Sequence, residues 1–325
     1  MDRTEREAVG AARGVLGDAA SGGGGLRVRF RGVRGSIASP GLDTSHFGGN
    51  TPCLEVTAGD QRLILDAGTG IRALGEELMG ASEPVRATLF LTHFHWDHVQ
   101  GLPLFGPIHD ERFDIQIVGP VQTEADVGEV SVRSLVERLF HPSHFPVVPS
   151  SIAASSTFGH LNEGTWQRRG VTVRAMRVRH PSFTVGYRVD VAGRSIAYVP
   201  DNEVFSDVFD LGADWWPRFV GFLSDVDVLV HDATFTAVEY ASRRGHGHSS
   251  IPDAIDLADE VGAGELVLFH HAPTRGDEEL DRVVARARNE MLVGGRSFGL
   301  RAAREGEEIR VGRMEPGTGE VSNGA

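Results

Sequence analysis

Three histidines and an aspartate fall within six consecutive residues, His93–Phe94–His95–Trp96–Asp97–His98, directly after the apolar run Ala87–Leu91 and Thr92. Any fold of this chain has to accommodate them. Imidazoles and carboxylates are costly to bury unless they are paired or bound to a metal. Together they offer ligands of the hardness that Zn²⁺ or Mn²⁺ prefers. Alternate residues of an extended segment share a face, so His93 and His95 can hold one ion. Asp97 and His98 lie where the chain turns into a helix and can face a second. A solvated histidine cluster would need neither this spacing nor a buried strand in front of it.

Ligand-type residues recur where other strand-like runs end. His180 closes Val173–Arg179, Asp201 closes Ile196–Pro200, and His270 with His271 closes Leu266–Phe269. Singly, each reads as a turn or cap residue. Several strand ends carrying such groups point to ligands converging on one edge of the sheets.

Apolar patterning sets out the elements around these positions. Strands are expected at Leu26–Phe30, Thr51–Thr57, Arg62–Leu65, Ala87–Leu91, Ile115–Val118, Val171–Arg177, Val185–Val191, Ser195–Val199, Val226–Val230, Leu266–Phe269 and near Ile309–Val311. Helices are expected at Ile71–Met79, Glu124–Leu139, Pro252–Val261 and Glu278–Asn289. Two successive β-rich halves with interspersed helices suggest two sheets packed face to face with helices outside. The expected organisation is a flexible, Gly-rich arm over residues 1–25, one folded domain over 26–312 and a disordered Gly/Ser/Asn-rich tail over 313–325.

Bulk properties narrow the class. The single cysteine, Cys53, excludes an internal disulfide and any cysteine-rich zinc site. No apolar run approaches a membrane span and no signal core opens the sequence, so a cytoplasmic protein is expected. The 32 basic and 45 acidic residues give a net charge of −13. That is the wrong sign for wrapping duplex nucleic acid, because phosphate neutralisation supplies most non-specific affinity.

The series His93-x-His95-x-Asp97-His98, followed by His180, Asp201 and a late histidine, resembles the ligand series of the metallo-β-lactamase superfamily. The resemblance runs from about Leu26 to Val311. It implies an α/β fold, the four-layer αββα metallo-β-lactamase sandwich in a single domain, with two divalent metal ions, zinc or manganese. It also implies that His93, His95 and His180 hold the first ion, that Asp97, His98 and the late histidine hold the second, and that Asp201 bridges them. Asp66, in Leu65–Asp66–Ala67–Gly68–Thr69–Gly70, matches an aspartate that supports the metal loop without binding metal. The late ligand is His270 or His271, and Pro273 points to His270.

Three segments resemble one branch of that superfamily. His180–Pro181–Ser182–Phe183–Thr184–Val185–Gly186–Tyr187 is similar to the His…Gly-Tyr segment of RNase Z and the phosphoribosyl cyclic phosphodiesterases. The Gly-His-Thr-x-Gly context of thioesterases and many lactonases is absent. His231–Asp232–Ala233–Thr234 resembles the His-Glu-Ala-Thr motif of RNase Z, and Gly247–His248–Ser249–Ser250 resembles the His-Ser-Thr motif of the same group. The resemblance implies that His248 is a general acid or a phosphate-oxygen ligand and that Asp232 orients it, with Asp97 helping to set the charge and spacing of the metal pair. The implied reaction is hydrolysis of a small nucleotide-like or cyclic phosphate ester by a hydroxide held between two ions. RNase Z carries a tRNA-clasping arm, in many members between the ligands matching His180 and Asp201. Here those are 21 positions apart and read as strand-turn-strand, so no arm fits. The competing readings are a lactonase or thioesterase of the same fold and an armless RNase Z-like nuclease. A homodimer is compatible with the sequence. The loop Phe140–Pro146, with His141 and His144, reads either as a lid that stacks a base or as a hydrophobic plug or dimer contact.

Overall fold

The structure is a computed structural model that describes residues 25–311 other than residue 84. The expected arm, apart from residue 25, and the expected tail lie outside the described residues. The first half runs β1 (Leu26–Gly32), β2 (Cys53–Ala58), β3 (Gln61–Leu65), α1 (Ile71–Met79), β4 (Arg86–Phe90), α2 (Trp96–Val99), β5 (Asp114–Gly119), β6 (Gln122–Glu124), β7 (Gly128–Val130), α3 (Val132–Arg138) and β8 (Thr157–His160). The second half runs β9 (Gly164–Arg168), β10 (Val171–Arg177), β11 (Val185–Val191), β12 (Arg194–Val199), α4 (Trp215–Leu223), β13 (Val228–Asp232), α5 (Ala237–Tyr240), α6 (Ile251–Glu260), β14 (Glu265–Phe269), α7 (Asp277–Val293), β15 (Gly299–Ala302) and β16 (Glu308–Val311).

Two seven-stranded sheets form, ordered β16-β1-β2-β3-β4-β5-β8 and β15-β14-β13-β12-β11-β10-β9, beside a small β6-β7 hairpin. The alternation in β1 shows why they stack. Leu26, Val28 and Phe30 are buried, while Arg27, Arg29 and Arg31 point to the other face, as the two-residue period of a strand requires. The inward side chains of both sheets mesh in one core that includes Phe30, Val56, Phe90, Val173, Tyr187, Tyr198, Val230 and Phe269. Strands β4 and β14 are buried on both faces, because helices cover the outer sides. Ile71, Leu74 and Val136 from α1 and α3 pack under the first sheet. Trp215, Phe219, Leu257 and Leu280 from α4, α6 and α7 pack on the second. The result is the expected four-layer αββα sandwich. No helix of the described residues is long and apolar enough to cross a membrane.

Two expectations need correcting. The helix expected over Glu124–Leu139 is a hairpin followed by a short helix, β6, β7 and α3. Gly128 adopts φ 80°, a conformation that breaks a helix, and Ser131 accepts a hydrogen bond from the Ser134 amide to start α3. Strands β8, β9 and β15 and helices α4 and α5 were not expected. The 140–146 loop is anchored by its two phenylalanines, while residues 141–144 and 146 are exposed. Phe140 is fully buried, with Phe145 edge-on at 5.8 Å, in the cluster under the first sheet. Trp215 is likewise core, stacked on Phe219 at 4.7 Å.

Phe90 ties the sheets together immediately before the histidine-rich segment, with Trp166 and Tyr187 both 5.3 Å from its ring. Phe90→Ala is expected to lower the unfolding free energy by about 3–5 kcal/mol, the range for deleting a fully buried phenylalanine. Urea denaturation followed by circular dichroism measures it.

Candidate metal centre

Strand direction explains why distant residues meet. β3, β4 and β5 are parallel, and so are β12, β13 and β14. β10 lies antiparallel to β11, which lies antiparallel to β12, so β10 shares the direction of β12. Asp66 follows β3, His93 follows β4, His180 follows β10, Asp201 follows β12, Asp232 ends β13 and His270 follows β14. All are at carboxyl ends, where the backbone leaves the ladder and a crevice opens.

Asp201 stands in the middle. Its Oδ2 is 3.5 Å from His93 Nε2 and 3.5 Å from His180 Nε2. Its Oδ1 is 3.2 Å from His98 Nε2 and 3.2 Å from His270 Nε2. His95 Nδ1 is 3.1 Å from His180 Nε2, and Asp97 Oδ2 is 3.2 Å from His270 Nε2. The candidate ligand atoms of His93, His95, His180 and Asp201 lie within 4.8 Å of one another, as do those of Asp97, His98 and His270. The structure therefore gathers every residue named as a ligand into two adjoining groups, one on each side of the Asp201 carboxylate.

The far side of four rings is held by the protein. His98 Nδ1 donates to Asp66 at 2.8 Å and His180 Nδ1 donates to the Gly247 carbonyl at 2.9 Å. The other two use a threonine relay. His93 Nδ1 faces the Thr92 hydroxyl at 3.1 Å, which donates to Asp66 at 3.0 Å. His270 Nδ1 faces the Thr234 hydroxyl at 3.0 Å, which donates to Asp232 at 2.8 Å. Each relay fixes the tautomer and leaves Nε2 facing the centre. Asp66 is further secured by the Thr92 amide at 2.8 Å and the Tyr198 hydroxyl at 2.9 Å. Three residues here, Ser36, Asp66 and His270, adopt φ near 60° without being glycine. Such strain collects where the surroundings over-determine a functional geometry. Gly35 permits the close approach: a Cβ there would lie 2.3 Å from His270 Nδ1.

These residues fit divalent cations. His93 Nε2, His98 Nε2 and Asp201 Oδ1 are buried without a hydrogen-bond partner, although buried polar atoms are nearly always satisfied. All three face the same centre, and imidazole nitrogen with carboxylate oxygen is a donor set suited to zinc or manganese. The electrostatics agree. Burial, reinforced by His98, holds the pKa of His93 well below the ordinary value, and burial lowers that of His180 to about 4. Burial opposes charge on His98, but Asp201, Asp97 and Asp66 outweigh it and raise its pKa well above the ordinary value. Burial also opposes charge on Asp97 and Asp201, and the surrounding histidines overcome it and lower both.

His248 lies beside this cluster. Its ring stacks on His270 with centroids 4.7 Å apart, and its Nδ1 is 2.8 Å from Asp232 Oδ2. Burial works against the charged ring, but Asp232 outweighs it and raises the pKa to about 9. Asp232 is held by the Thr234 amide and hydroxyl and by the Asn202 amide. A hollow of about 360 Å³ opens over these groups, lined by Ser36, Phe94, His95, Trp96, Asp97, Asp201, His248 and His270.

The structure separates the two adjacent histidines. His270 faces the cluster, whereas His271 Nε2 donates to the Ala303 carbonyl at 2.9 Å. Burial lowers the His271 pKa to about 3. Other contributors escaped the sequence reading. The Ser36 amide donates to Asp97 Oδ2 at 2.8 Å, and Tyr198 and the Gly247 carbonyl each bond a residue named above. Thr234 and Gly247 lie inside segments noted as resemblances, which was the available signal; Ser36 lies in none of them.

Two variants test the ligand assignment. His270→Ala is expected to lose one of two bound zinc ions per chain, and His271→Ala to retain both while losing stability. Elemental analysis after gel filtration checks both, and the reverse pattern would move the ligand by one residue. Protons compete with metal at a histidine whose pKa is raised. Zinc affinity is therefore expected to fall as pH is lowered, with proton release on binding, measured by calorimetry in two buffers.

Comparison with known proteins places this geometry. Residues 61–271 match the family model of the beta-lactamase superfamily domain. A ribonuclease Z from Lactococcus lactis is 28% identical over 225 residues, covering 56% of this chain and 69% of that protein. Among solved structures, Zn²⁺-bound PqqB from Methylobacterium extorquens superposes with a TM-score of 0.63 at 16% identity, covering 87% of this chain and 99% of that one. A diphosphatase of the PhnP family superposes with a TM-score of 0.61 at 16% identity, covering 87% and 97%. By sequence match and by fold, this chain belongs to the beta-lactamase superfamily and carries the metallo-β-lactamase fold.

Proposed function

We propose that the protein is a metal-dependent phosphodiesterase that hydrolyses a small nucleotide-like or cyclic phosphate ester. The observation that carries this reading is the Asp232–His248 pair, 2.8 Å apart and stacked beside the ligand cluster. A carboxylate-oriented proton donor suits an alkoxide leaving from phosphorus and is superfluous for a thioester, whose thiolate leaves unprotonated. Against a lactonase stands the absence of the Gly-His-Thr-x-Gly context around His180.

His93, His95 and His180 would hold one divalent cation, and Asp97, His98 and His270 the other, with Asp201 between them. Two such ions would supply an activated water and neutralise charge on the phosphoryl oxygens. The remaining work belongs to the side chains. Asp232 accepts from His248 Nδ1, fixes the ring and favours its protonated form, so that Nε2 carries the proton for the leaving oxygen. The Thr234 hydroxyl couples Asp232 to His270 as well, so one carboxylate aligns the proton donor and a ligand. The Ser36 amide holds Asp97 in place.

Two features support a small substrate. The hollow is at the lower end of ordinary ligand-pocket volumes, and no arginine is among the residues that line it. The β11–β12 hairpin occupies the interval between His180 and Asp201. A second reading, a ribonuclease, is favoured by the name of the Lactococcus relative. Assaying the zinc- and manganese-loaded protein against cyclic nucleotides, phosphoribosyl cyclic phosphate, dinucleotides, a structured RNA, lactones and thioesters distinguishes them. Turnover of cyclic or dinucleotide esters is expected. Cleavage of the RNA alone would favour the ribonuclease, and turnover of carbonyl esters alone would overturn both.

His248→Ala is expected to leave metal content unchanged and to slow hydrolysis of alkyl phosphodiesters by about 10²–10⁴-fold, the usual contribution of general acid catalysis. A nitrophenyl diester, whose leaving group needs little protonation, is expected to suffer far less. Asp232→Asn is expected to show a milder form of the same asymmetry. Equal losses on both esters would make His248 a phosphate-oxygen ligand instead.

A further inference from the structure

Two residues beyond Asp201 lies Glu203, a carboxylate with no exposed surface. Its hydrogen-bond partners are all neutral. Oε1 accepts from the Gly245 amide at 2.9 Å and from the Tyr240 hydroxyl at 3.0 Å. Oε2 accepts from the Gly245 amide at 3.0 Å and the Gly247 amide at 2.9 Å. A buried carboxylate is expensive unless its lone pairs are filled, and donors to an ionised acceptor bond it about twice as strongly as to a neutral one. Glu203 therefore ties down the 245–247 segment through both the Gly245 and the Gly247 amides.

That segment bears on the candidate centre at two points. The Gly247 carbonyl accepts from His180 Nδ1 at 2.9 Å, which leaves His180 Nε2 facing Asp201. Gly247 adopts φ 85°, and a Cβ there would lie 2.4 Å from His180 Nδ1, so backbone and imidazole are in direct contact. The next residue is His248. The neighbours of Glu203 reinforce the register. Asn202 Oδ1 accepts from the Arg179 amide at 2.9 Å, just before His180. The Val204 amide donates at 3.1 Å to the Ser249 hydroxyl, just after His248.

We propose that Glu203 is a further positioning residue of this centre: by holding Gly245 and Gly247 it sets both the carbonyl that orients His180 and the placement of His248. The His248 half rests on the phosphodiesterase reading above. The His180 half rests only on metal binding. Glutamine at this position keeps the shape but turns an NH₂ group toward backbone amides, so it strains the grip without opening a cavity.

The test uses the full chain as Glu203→Gln, Glu203→Asp and Tyr240→Phe, with melting temperature recorded for each. Glu203→Gln is expected to weaken zinc binding by roughly 10–100-fold in chelator competition, the range for losing an outer support of a metal ligand. On alkyl phosphodiesters its kcat is expected to fall by a similar factor, and on a nitrophenyl diester far less. Glu203→Asp, which keeps the charge, is expected to recover part of both. Equal losses on both esters with unchanged zinc affinity would reduce Glu203 to a scaffold residue and overturn the proposal, and so would no change in either readout. If the unmodified protein hydrolyses no diester, the phosphodiesterase reading fails by itself, and zinc affinity alone decides: an unchanged value in Glu203→Gln overturns the positioning role. Should Glu203→Gln not fold, Tyr240→Phe removes one donor and leaves the carboxylate. A smaller loss with the same bias supports the proposal, and no bias overturns it.

Discussion

The Asp201 carboxylate, buried with one oxygen turned to His93 and His180 and the other to His98 and His270, sets the terms for everything around it. A carboxylate in that position is tolerable only if positive charge or donors compensate it. Yet the Nδ1 atoms of those four rings already have protein partners, so their Nε2 atoms serve best as acceptors toward a cation. The orphaned Nε2 atoms of His93 and His98 and the orphaned Asp201 Oδ1 express the same demand. Every other feature of the site makes this cluster rigid enough to persist.

That rigidity comes from the two sheets. Parallel strands end on a common edge, and the segments that follow them supply the centre, four groups after β4 and one each after β10, β12 and β14, so the ligand geometry is inherited from sheet register. A second layer of polar contacts completes it. Asp66 serves His93 and His98, Asp232 serves His270 and His248, and Glu203 serves the loop that touches His180. Three buried carboxylates outside the ligand set thus each align two groups. Their burial is itself costly, and the filled hydrogen bonds around them offset that cost.

Much of this was legible in the sequence, because the signals were local. The two-residue alternation of Leu26–Phe30 gave β1, the full apolar run before His93 gave β4, and the clustered His/Asp spacing gave the centre. The strand-end positions of His180, Asp201 and His270 were visible for the same reason. What escaped depended on long-range geometry. β8 and β9 are short and largely exposed, so they lack a strong apolar pattern. The hairpin at Gln122–Val130 is hidden in the sequence, because Val127, Val130, Leu135 and Leu139 mimic helical spacing. Pro273 already pointed to His270 over His271; what the sequence could not show is the cause, the left-handed φ of 59° at His270 that turns its ring to the cluster while His271 bonds Ala303. Glu203 left no signal, since its role depends on a loop more than forty positions away.

Crystals grown with zinc and measured at the zinc absorption edge test the central claim most directly. The account predicts two anomalous peaks about 3.5–4 Å apart. One lies between His93, His95, His180 and Asp201 Oδ2, and the other between Asp97, His98, His270 and Asp201 Oδ1. A single peak, peaks that do not flank Asp201, or none at saturating zinc would contradict it.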